Sequence, residues 1–235
     1  MTFYQQLLAA TENERAGLLS APIILRCFQG EFTLHDYVAF LGQAYHHVKH
    51  TVPLLMAVGA RLPEEKEWLR EAVGEYIEEE MGHQEWILND IGQCGFDKEY
   101  VRHARPHLAT ELMVVYAWDM INRVNPLGFF GMVQVLEGTS INIAEKAADI
   151  IREKLGLPRQ AFTYLYSHGA LDQDHIQFFE GLMNRITDPG EQEQIIYAAK
   201  VFYKLYGEIF RSLDADHGIP RLVFEGESAA HGTAG

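Results

Sequence analysis

One short segment carries residue types that bind metal ions, His168-x-x-x-Asp172-x-x-His175. On an α-helix, positions i, i+4 and i+7 lie on one face. That face continues through apolar residues, which are Leu165, Phe179, Leu182 and Ile186. Burying two imidazoles and a carboxylate there without partners is costly, and a metal ion would pair with all three at once. The segment therefore indicates a metal site, and a capped or ion-paired helix surface is the alternative.

Two other apolar stripes are interrupted in the same way. Glu80 and His83 form a Glu-x-x-His pair on a predicted helix whose apolar face includes Val73 and Ile87. Glu137 is the lone carboxylate in a stripe of helical spacing, formed by Phe130, Val133, Ile141, Ala144 and Ile151. Three carboxylates and three histidines on three helices are close to the inventory of a carboxylate-bridged di-iron site in a helix bundle. The neighbouring Glu78 and Glu79 are predicted to be solvated.

Composition limits the classes of protein that fit. The chain has 235 residues, 48% of them hydrophobic, which suits one domain with a full core. A net charge of −14 argues against a nucleic-acid surface and against binding to anionic membranes. Two cysteines give no disulfide framework, and no signal peptide or transmembrane stretch is visible. These features predict a cytoplasmic protein.

Helical periodicity covers almost the whole chain, and alternation typical of strands is absent. We expect short helices near residues 2–10, 12–19 and 97–104. Longer ones are expected from Thr33 to Gly59, with a kink or break at Pro53, and from Pro63 to Gly92. Another helix is expected near 106–124. After the break at Asn125-Pro126, the helix that carries Glu137 is expected to run to about residue 155. The last two helices are expected near 158–188 and 190–213. The prediction is one all-α domain over residues 1–213, with a flexible tail at 214–235.

The order of these motifs resembles a known family. Glu80-x-x-His83, then Glu137, then His168-x-x-x-Asp172-x-x-His175 is similar to the haem-oxygenase-like diiron oxidases and oxygenases. These are the iron-containing redox enzymes of the TenA and pyrroloquinoline quinone synthase-like group. The resemblance covers roughly residues 30–212. It implies a compact haem-oxygenase-like bundle of about seven main helices, with those six residues as the metal ligands.

The sequence differs from those of related protein groups, and these differences limit the activities that are expected. Thiaminase-like TenA proteins use a cysteine on the helix that here carries Glu137, and that helix has none. Ferritin-like di-iron proteins need a second Glu-x-x-His, which is missing. Haem oxygenases use a histidine on the first long helix, where His46, His47 and His50 lie, so a haem-type role stays open for them. For at least two of these three we expect a polar helix surface.

The leading hypothesis is a non-haem iron oxidase or oxygenase that uses O₂ on a small organic acid or amine. Mixed carboxylate and imidazole ligands suit one or two Fe(II)/Fe(III) ions, or manganese. The alternatives are a cofactor-independent enzyme of the same fold, with the histidines as acid–base groups, and a non-catalytic TenA-like binding or regulatory protein.

Several residues are candidates for supporting roles. Asp174, Gln134 and Tyr45 could orient the ligands. Lys49 or Arg123 could bind a substrate carboxylate. Aromatic residues are expected in the pocket, although plain core is the simpler interpretation of their spacing; they are Tyr37, Phe40, Tyr45, Trp118, Phe129 and Phe130.

The last helix predicts a homodimer. Its aromatic residues cover more than one face, and one core hides only one stripe. They are Phe202, Tyr203, Tyr206 and Phe210. The surplus face would meet a second subunit across a two-fold axis. The alternative is a central helix buried on all sides within one chain.

Overall fold

The computed structural model describes the backbone of residues 1–214 and the side chains of residues 1–167 and 175–214. Within residues 1–214 there are twelve α-helices and no β-strand, which confirms the all-α prediction. Eight of the helices have eleven residues or more. The helices are α1 Phe3–Ala10, α2 Glu12–Leu19, α3 Pro22–Phe28, α4 Leu34–Val48, α5 Thr51–Arg61, α6 Glu67–Glu80, α7 His83–Gln93, α8 Lys98–His103, α9 Leu108–Asp119, α10 Phe129–Leu155, α11 Thr163–Arg185 and α12 Pro189–Asp214.

The first long helix begins as predicted and breaks earlier than predicted. Thr33 and Asp36 form a capping box at the start of α4, in which each side chain accepts the backbone N–H of the other residue. The helix ends at Val48, and α5 starts at Thr51. Pro53 therefore lies in the first turn of α5. Its ring clashes with the carbonyl four residues earlier, which is that of Lys49, so the break lies there.

The predicted helix from Pro63 to Gly92 is two helices. α6 ends at Glu80, Met81 is extended, and α7 begins at His83. Gly82 has φ of +91°, a left-handed conformation that glycine adopts without steric cost. Glu80 and His83 therefore lie at the end of one helix and the start of the next, instead of one turn apart on a single helix.

The sequence analysis missed α3, which starts with Pro22 in its first turn. The helix is tied to the end of the chain's described part by Asp214. That carboxylate accepts the backbone N–H of Ile23 at 2.9 Å and pairs with Arg26 at 2.6 Å. Asp214 was predicted to begin a flexible tail, but it is the last residue of α12. Residues 215–235, the rest of that tail, lie outside the described residues.

Helix α12 is central, and this removes the argument for a two-fold interface. The four aromatic residues on which the prediction rested are buried within one chain, with Phe202 0% and Phe210 8% exposed. They therefore leave no surplus apolar face for a second subunit, although a fifth aromatic residue of the helix, Tyr197, is 61% exposed. α12 packs against α2, α9 and α10, and Gly131 of α10 lets the two backbones approach closely. The oligomeric state stays a prediction without this support.

The apolar faces predicted for the site helices are confirmed where the side chains are described. Leu165, Phe179 and Leu182 of α11 are buried, and so is Ile186, which follows the helix directly. α10 and α11 pack side by side, and α11 also contacts α7. The candidate ligands lie on four helices, α6, α7, α10 and α11, and α11 contacts both α7 and α10. None of the described helices is both long and apolar enough to cross a membrane.

Candidate functional site

A cavity of about 140 Å³ runs along α10, where 10–15 Å³ is roughly enough for one water molecule. α10 contributes wall residues from Phe129 to Ile151, and α3, α4, α5, α6, α11 and α12 close the other sides. Most of the wall is apolar. Polar side chains interrupt it in a few places, which are His47, Thr51, Tyr76, Glu80, Glu137, Thr139, Ser140, Tyr164 and Tyr206. The missed helix α3 supplies part of the apolar wall.

Among the predicted ligands whose side chains are described, two reach this cavity from different helices. Glu80, at the end of α6, and Glu137, near the middle of α10, both line it. Glu80 also contacts His83, and Nδ1 of His83 lies within hydrogen-bond distance of Oε2 of Glu80, at 3.1 Å. The His83 ring is 3% exposed and packs on Trp86 with 4.0 Å between ring centres. The tertiary structure therefore joins a Glu–His pair to a lone glutamate at one cavity.

Tyr76 is a site residue that the sequence analysis missed. Its side chain is 3% exposed and lines the same cavity. Among the described residues, its hydroxyl has no hydrogen-bond partner. Burial raises the pKa of Tyr76 most, and the negative charges of Glu137, Glu79 and Glu80 raise it further. A buried phenol facing three carboxylates is thus held in its neutral form. The sequence did contain a signal for Tyr76, because it precedes Glu80 by four residues and so lies on the same face of the helix.

His175 has a partner that was predicted to be solvated. Its Nε2 lies 3.2 Å from Oε2 of Glu79, one residue before Glu80. The Glu79 side chain is 44% exposed, while that of His175 is 15% exposed. Glu78 and Glu79 are both exposed, as predicted, and Glu79 in addition connects α6 to α11 from the surface. An adjacent pair of glutamates, each beside a different histidine, could not be recognised from spacing alone.

In the described part of the chain, the carboxylates and imidazoles that could bind a metal ion lie in pairs. Among their side chains, no group of three or more His, Cys, Asp and Glu residues is placed to hold a metal ion. His168, Asp172 and Asp174 lie outside the described side chains, so the predicted six-residue set is not tested. The donor chemistry fits iron, because carboxylates and imidazoles both bind Fe(II) and two of the carboxylates face a shared cavity.

The two histidines of α4, His46 and His47, are buried, which contradicts the polar surface expected for at least two of the three histidines. His46 and His47 are each 2% exposed, and His50 is half-buried. Burial first, and then the charge of Lys49, whose Nζ lies 3.3 Å from Nδ1 of His46, lower the pKa of His46 to about 4. His47 lines the cavity and meets the Tyr206 ring edge-on at 5.8 Å. α4 is therefore a wall of the site.

The residues predicted to support the site are mostly elsewhere. Lys49 lies beside His46 and over the Tyr45 ring, and Arg123 is exposed and paired with Asp119. The described residues of the cavity wall include no lysine and no arginine of any kind, so neither Lys49 nor Arg123 lines it. Gln134 hydrogen-bonds Tyr203 next to a second cavity that Glu137 also lines.

Only two of the predicted pocket aromatics line the main cavity, namely Phe40 and Phe129. Tyr37 and Phe130 are fully buried core residues, and the Tyr37 hydroxyl donates to the carbonyl of Ala161 at 2.8 Å. Tyr45 and Trp118 also lie outside the wall. The simpler interpretation, that helical aromatic spacing marks core, was therefore right for most of them. The pocket aromatics that were missed are Phe28, Phe32, Tyr76, Tyr164, Tyr206 and Phe210.

Comparison with known proteins matches most of the chain to one family. The sequence profile described as "iron-containing redox enzyme" matches residues 38–207. This range includes all six predicted ligands and every helix from α6 to α11. No curated protein matches the chain at a significant level.

Solved structures share the fold. A domain of unknown function with a heme oxygenase-like fold from Shewanella denitrificans aligns with a TM-score of 0.80 and 21% identity, covering 91% of this chain and 92% of that one. A TenA homologue from Pseudomonas syringae gives 0.76 and 10%, covering 90% and 92%. Heme oxygenase-1 from Synechocystis, in complex with heme, gives 0.71 and 12%, covering 91% and 93%. At these identities the likeness is one of fold.

Proposed function

Because the chain belongs to the family of iron-containing redox enzymes, we propose that it is a non-haem iron oxidase or oxygenase that uses O₂ on a small organic molecule. The observation that carries the proposal is the meeting of Glu80 and Glu137 at one largely apolar cavity. Carboxylates are a ligand type that iron accepts, and here two of them come from different helices to the same cavity.

The proposed ligands are the six residues of the sequence prediction: Glu80, His83, Glu137, His168, Asp172 and His175. Iron bound by carboxylates and imidazoles supplies O₂ activation. Within the chain, Glu80 keeps the His83 ring in place through its 3.1 Å contact, and Glu79 does the same for His175 at 3.2 Å. Imidazoles bind metal only when neutral, so iron affinity should fall as the pH drops.

The rest of the cavity has two tasks. Its apolar wall excludes water, which strengthens every electrostatic interaction inside. The Tyr76 hydroxyl, kept neutral by burial and by the surrounding glutamates, can donate a hydrogen bond to a polar atom of the substrate.

Iron content and oxygen consumption test the proposal together. The protein is loaded with Fe(II) under anaerobic conditions, desalted and analysed for metal. We expect one or two iron ions per chain, O₂ consumption on exposure to air, and loss of stoichiometric iron in Glu137→Ala and in His168→Ala.

Glu78→Ala, an exposed glutamate on α6, is the matched control and should keep its iron. Circular dichroism confirms that each variant stays helical. Full iron occupancy in both ligand variants would overturn the ligand assignment. A wild-type protein that binds neither iron nor manganese would overturn the proposed function.

A cofactor-independent enzyme with the TenA-like fold is the second candidate. The observation in its favour is the pairing of the described donors, Glu80 with His83 and Glu79 with His175, instead of a group of three. Carboxylate–imidazole pairs are suited to general acid–base catalysis. Activity that survives complete removal of metal by a chelator would favour this candidate over the first.

A further inference from the structure

One end of the main cavity lies beside the point where the described chain ends. Helix α3 packs against both α10 and α12, and it supplies four wall residues, which are Ile23, Ile24, Cys27 and Phe28. Leu213, in the last turn of α12, lines the same cavity. Asp214 follows it and is bonded to α3 through the backbone N–H of Ile23 and the side chain of Arg26. The chain therefore leaves α12 next to the cavity wall.

The apolar wall reaches the protein surface at this end. Phe28, Ile143, Ala147 and Leu213 line the cavity and are each only partly buried. Phe28 lies beside α10, because Nζ of Lys146 is placed over its ring at 5.4 Å. Ile143 and Ala147 are four residues apart on α10 and so share one face of that helix. These four side chains, which we call the rim, form an apolar surface that a further apolar group can cover.

The residues that follow Asp214 contain one apolar run. From 215 to 224 the sequence is Ala-Asp-His-Gly-Ile-Pro-Arg-Leu-Val-Phe, and five of its last six residues are apolar. Apolar side chains are more stable against another apolar surface than in water. The run at residues 219–224 therefore favours contact with an apolar surface near the point where the chain leaves α12.

The rim is within reach of this run. Ile219 follows Asp214 by five residues, which span up to about 17 Å when extended. Asp214 is bonded to Ile23 at the start of α3, and Phe28 lies five residues further along that helix. Five residues of helix are about 8 Å long at a rise of 1.5 Å per residue. The run can therefore begin on the rim without any change in α12 or α3.

The charges beside the two surfaces are complementary. Lys146 is exposed and lies at the rim, over the ring of Phe28. Glu225 directly follows the last apolar residue of the run, Phe224. A run that covers the rim can place this carboxylate near the ammonium group. An exposed ion pair adds little stability, but opposite charges favour one orientation of the docked segment.

From these observations we infer that residues 219–224 dock on the rim of their own chain and close this end of the cavity. The segment and an apolar ligand then compete for one surface, so a ligand that enters from this end must displace the segment. This closure does not depend on iron, and it concerns access to the cavity, about which the proposed function says nothing. A docked segment also replaces the flexible tail that was predicted for these residues.

Limited proteolysis of the full-length protein with trypsin tests the docking. Within residues 212–235 only Arg221 is a lysine or arginine, so cleavage there gives one fragment that mass spectrometry detects. We expect the double variant Ile219→Ser/Phe224→Ser to be cut at Arg221 about tenfold faster than the wild type, because two apolar contacts of the segment are lost. The matched control, Ala229→Ser/Ala230→Ser, lies outside the run and should be cut at the wild-type rate.

A second pair of variants changes the rim instead of the segment. Ala147→Glu places a carboxylate in the apolar rim and should also speed cleavage at Arg221, because the docked segment would bury that charge. Asn142→Glu adds the same group to α10 outside the main cavity and should leave the rate unchanged. Circular dichroism checks that both variants stay helical. Wild-type cleavage rates in both the segment double variant and Ala147→Glu would overturn the docking.

Binding of a neutral apolar dye, N-phenyl-1-naphthylamine, measures the competition directly. Its affinity for iron-free protein should be about tenfold higher in Ile219→Ser/Phe224→Ser than in the wild type, because the segment no longer covers the rim. A synthetic peptide of residues 215–227 should displace the dye from that variant. Equal dye affinity in the two proteins would overturn the competition. Cleavage of the wild type at Arg221 that becomes faster on dilution would show that a second copy supplies the segment, and would overturn docking within one chain.

Discussion

The carboxylate of Asp90 on α7 accepts the backbone N–H of Tyr164 on α11, with 2.8 Å between Oδ2 and the nitrogen. Its other oxygen accepts the N–H of Thr163 at 3.0 Å. A helix leaves its first N–H groups without partners, and here a residue of another helix supplies the acceptors. α7 begins with His83, and α11 carries His168, Asp172 and His175. Asp90 therefore fixes the two helices that hold four of the six proposed ligands.

Removing this cap should loosen the site as well as the fold. We expect Asp90→Ala to lower the free energy of unfolding by about 2 kcal/mol, because two buried N–H groups lose their acceptor. Asp90→Asn, which keeps one acceptor, should lose less. Urea unfolding followed by circular dichroism measures both values, and metal analysis of the folded variants should show weaker iron binding.

Asp97→Ala is the matched control for Asp90→Ala. Asp97 caps the short α8 in the same way, by accepting the N–H groups of Glu99 and Tyr100. The loss of this exposed cap should lower stability by about 0.5–1 kcal/mol and leave iron binding unchanged. Equal effects of the two variants on iron content would contradict a positioning role for Asp90.

Burial of Asp90 gives stability a defined pH dependence. Burial raises the pKa of Asp90 to about 6, against roughly 3.9 in an unfolded chain. The folded protein then binds more protons than the unfolded one between these values, so this residue's contribution to stability falls as the pH rises from about 4 to about 6. His46, whose pKa is lowered to about 4, acts in the opposite direction in an overlapping range.

The contribution of Asp90 is obtained by difference. Unfolding free energies of the wild type and of Asp90→Asn are measured at several pH values from 4 to 7. The wild type should lose stability relative to the variant as the pH rises, with most of the change complete by about pH 7. A difference that stays constant with pH would show that the pKa of Asp90 is not raised in the folded protein.

Because Glu79 contacts His175 and Glu78 does not, we expect substitutions of these two adjacent glutamates to differ in their effect on iron binding. Glu79→Gln should weaken iron binding by about 10–100-fold, the usual effect of removing a residue that orients a metal-binding histidine. Glu78→Gln, on the exposed side of α6, should have no such effect. Competition with a chelator of known affinity gives both constants. A similar loss in both variants would show that general charge, and not the 3.2 Å contact, is responsible.

Replacing two glycines by alanine should change the stability of the protein in opposite directions. A Cβ at Gly131 would lie 2.6 Å from the backbone nitrogen of Ala199 and 2.8 Å from the carbonyl oxygen of Ile195. Backbone atoms of α12 cannot move aside as a flexible side chain does, so Gly131→Ala should destabilise the protein by about 1–3 kcal/mol. A Cβ at Gly17 in α2 meets nothing within 4 Å.

Gly17→Ala should therefore stabilise the protein by about 0.5–1 kcal/mol, since alanine loses less backbone entropy in a helix. Urea denaturation of both variants at one pH checks the pair. A neutral Gly131→Ala would contradict the close packing of α10 on α12, and destabilisation by Gly17→Ala would contradict the open space beside Gly17 in α2.

The sequence by itself determined the features that depend on neighbours along the chain. The 3.6-residue periodicity predicted the all-α class, and Thr33 at the start of α4 was a local capping signal. The buried stripe from Leu165 to Ile186 followed from spacing on one helix. The order of the six ligand-type residues predicted a family whose profile matches residues 38–207.

The tertiary structure decided which side chains meet across helices. Spacing cannot show that Glu79 reaches His175 on another helix, or that Tyr76 and Glu137 line the same cavity. The same holds for His46 and His47, which look like polar surface along the chain and are buried because other elements cover α4. The aromatic residues of α12 were misread for the same reason. A helix apolar on several faces can lie at an interface or at the centre of a fold, and only its packing distinguishes the two.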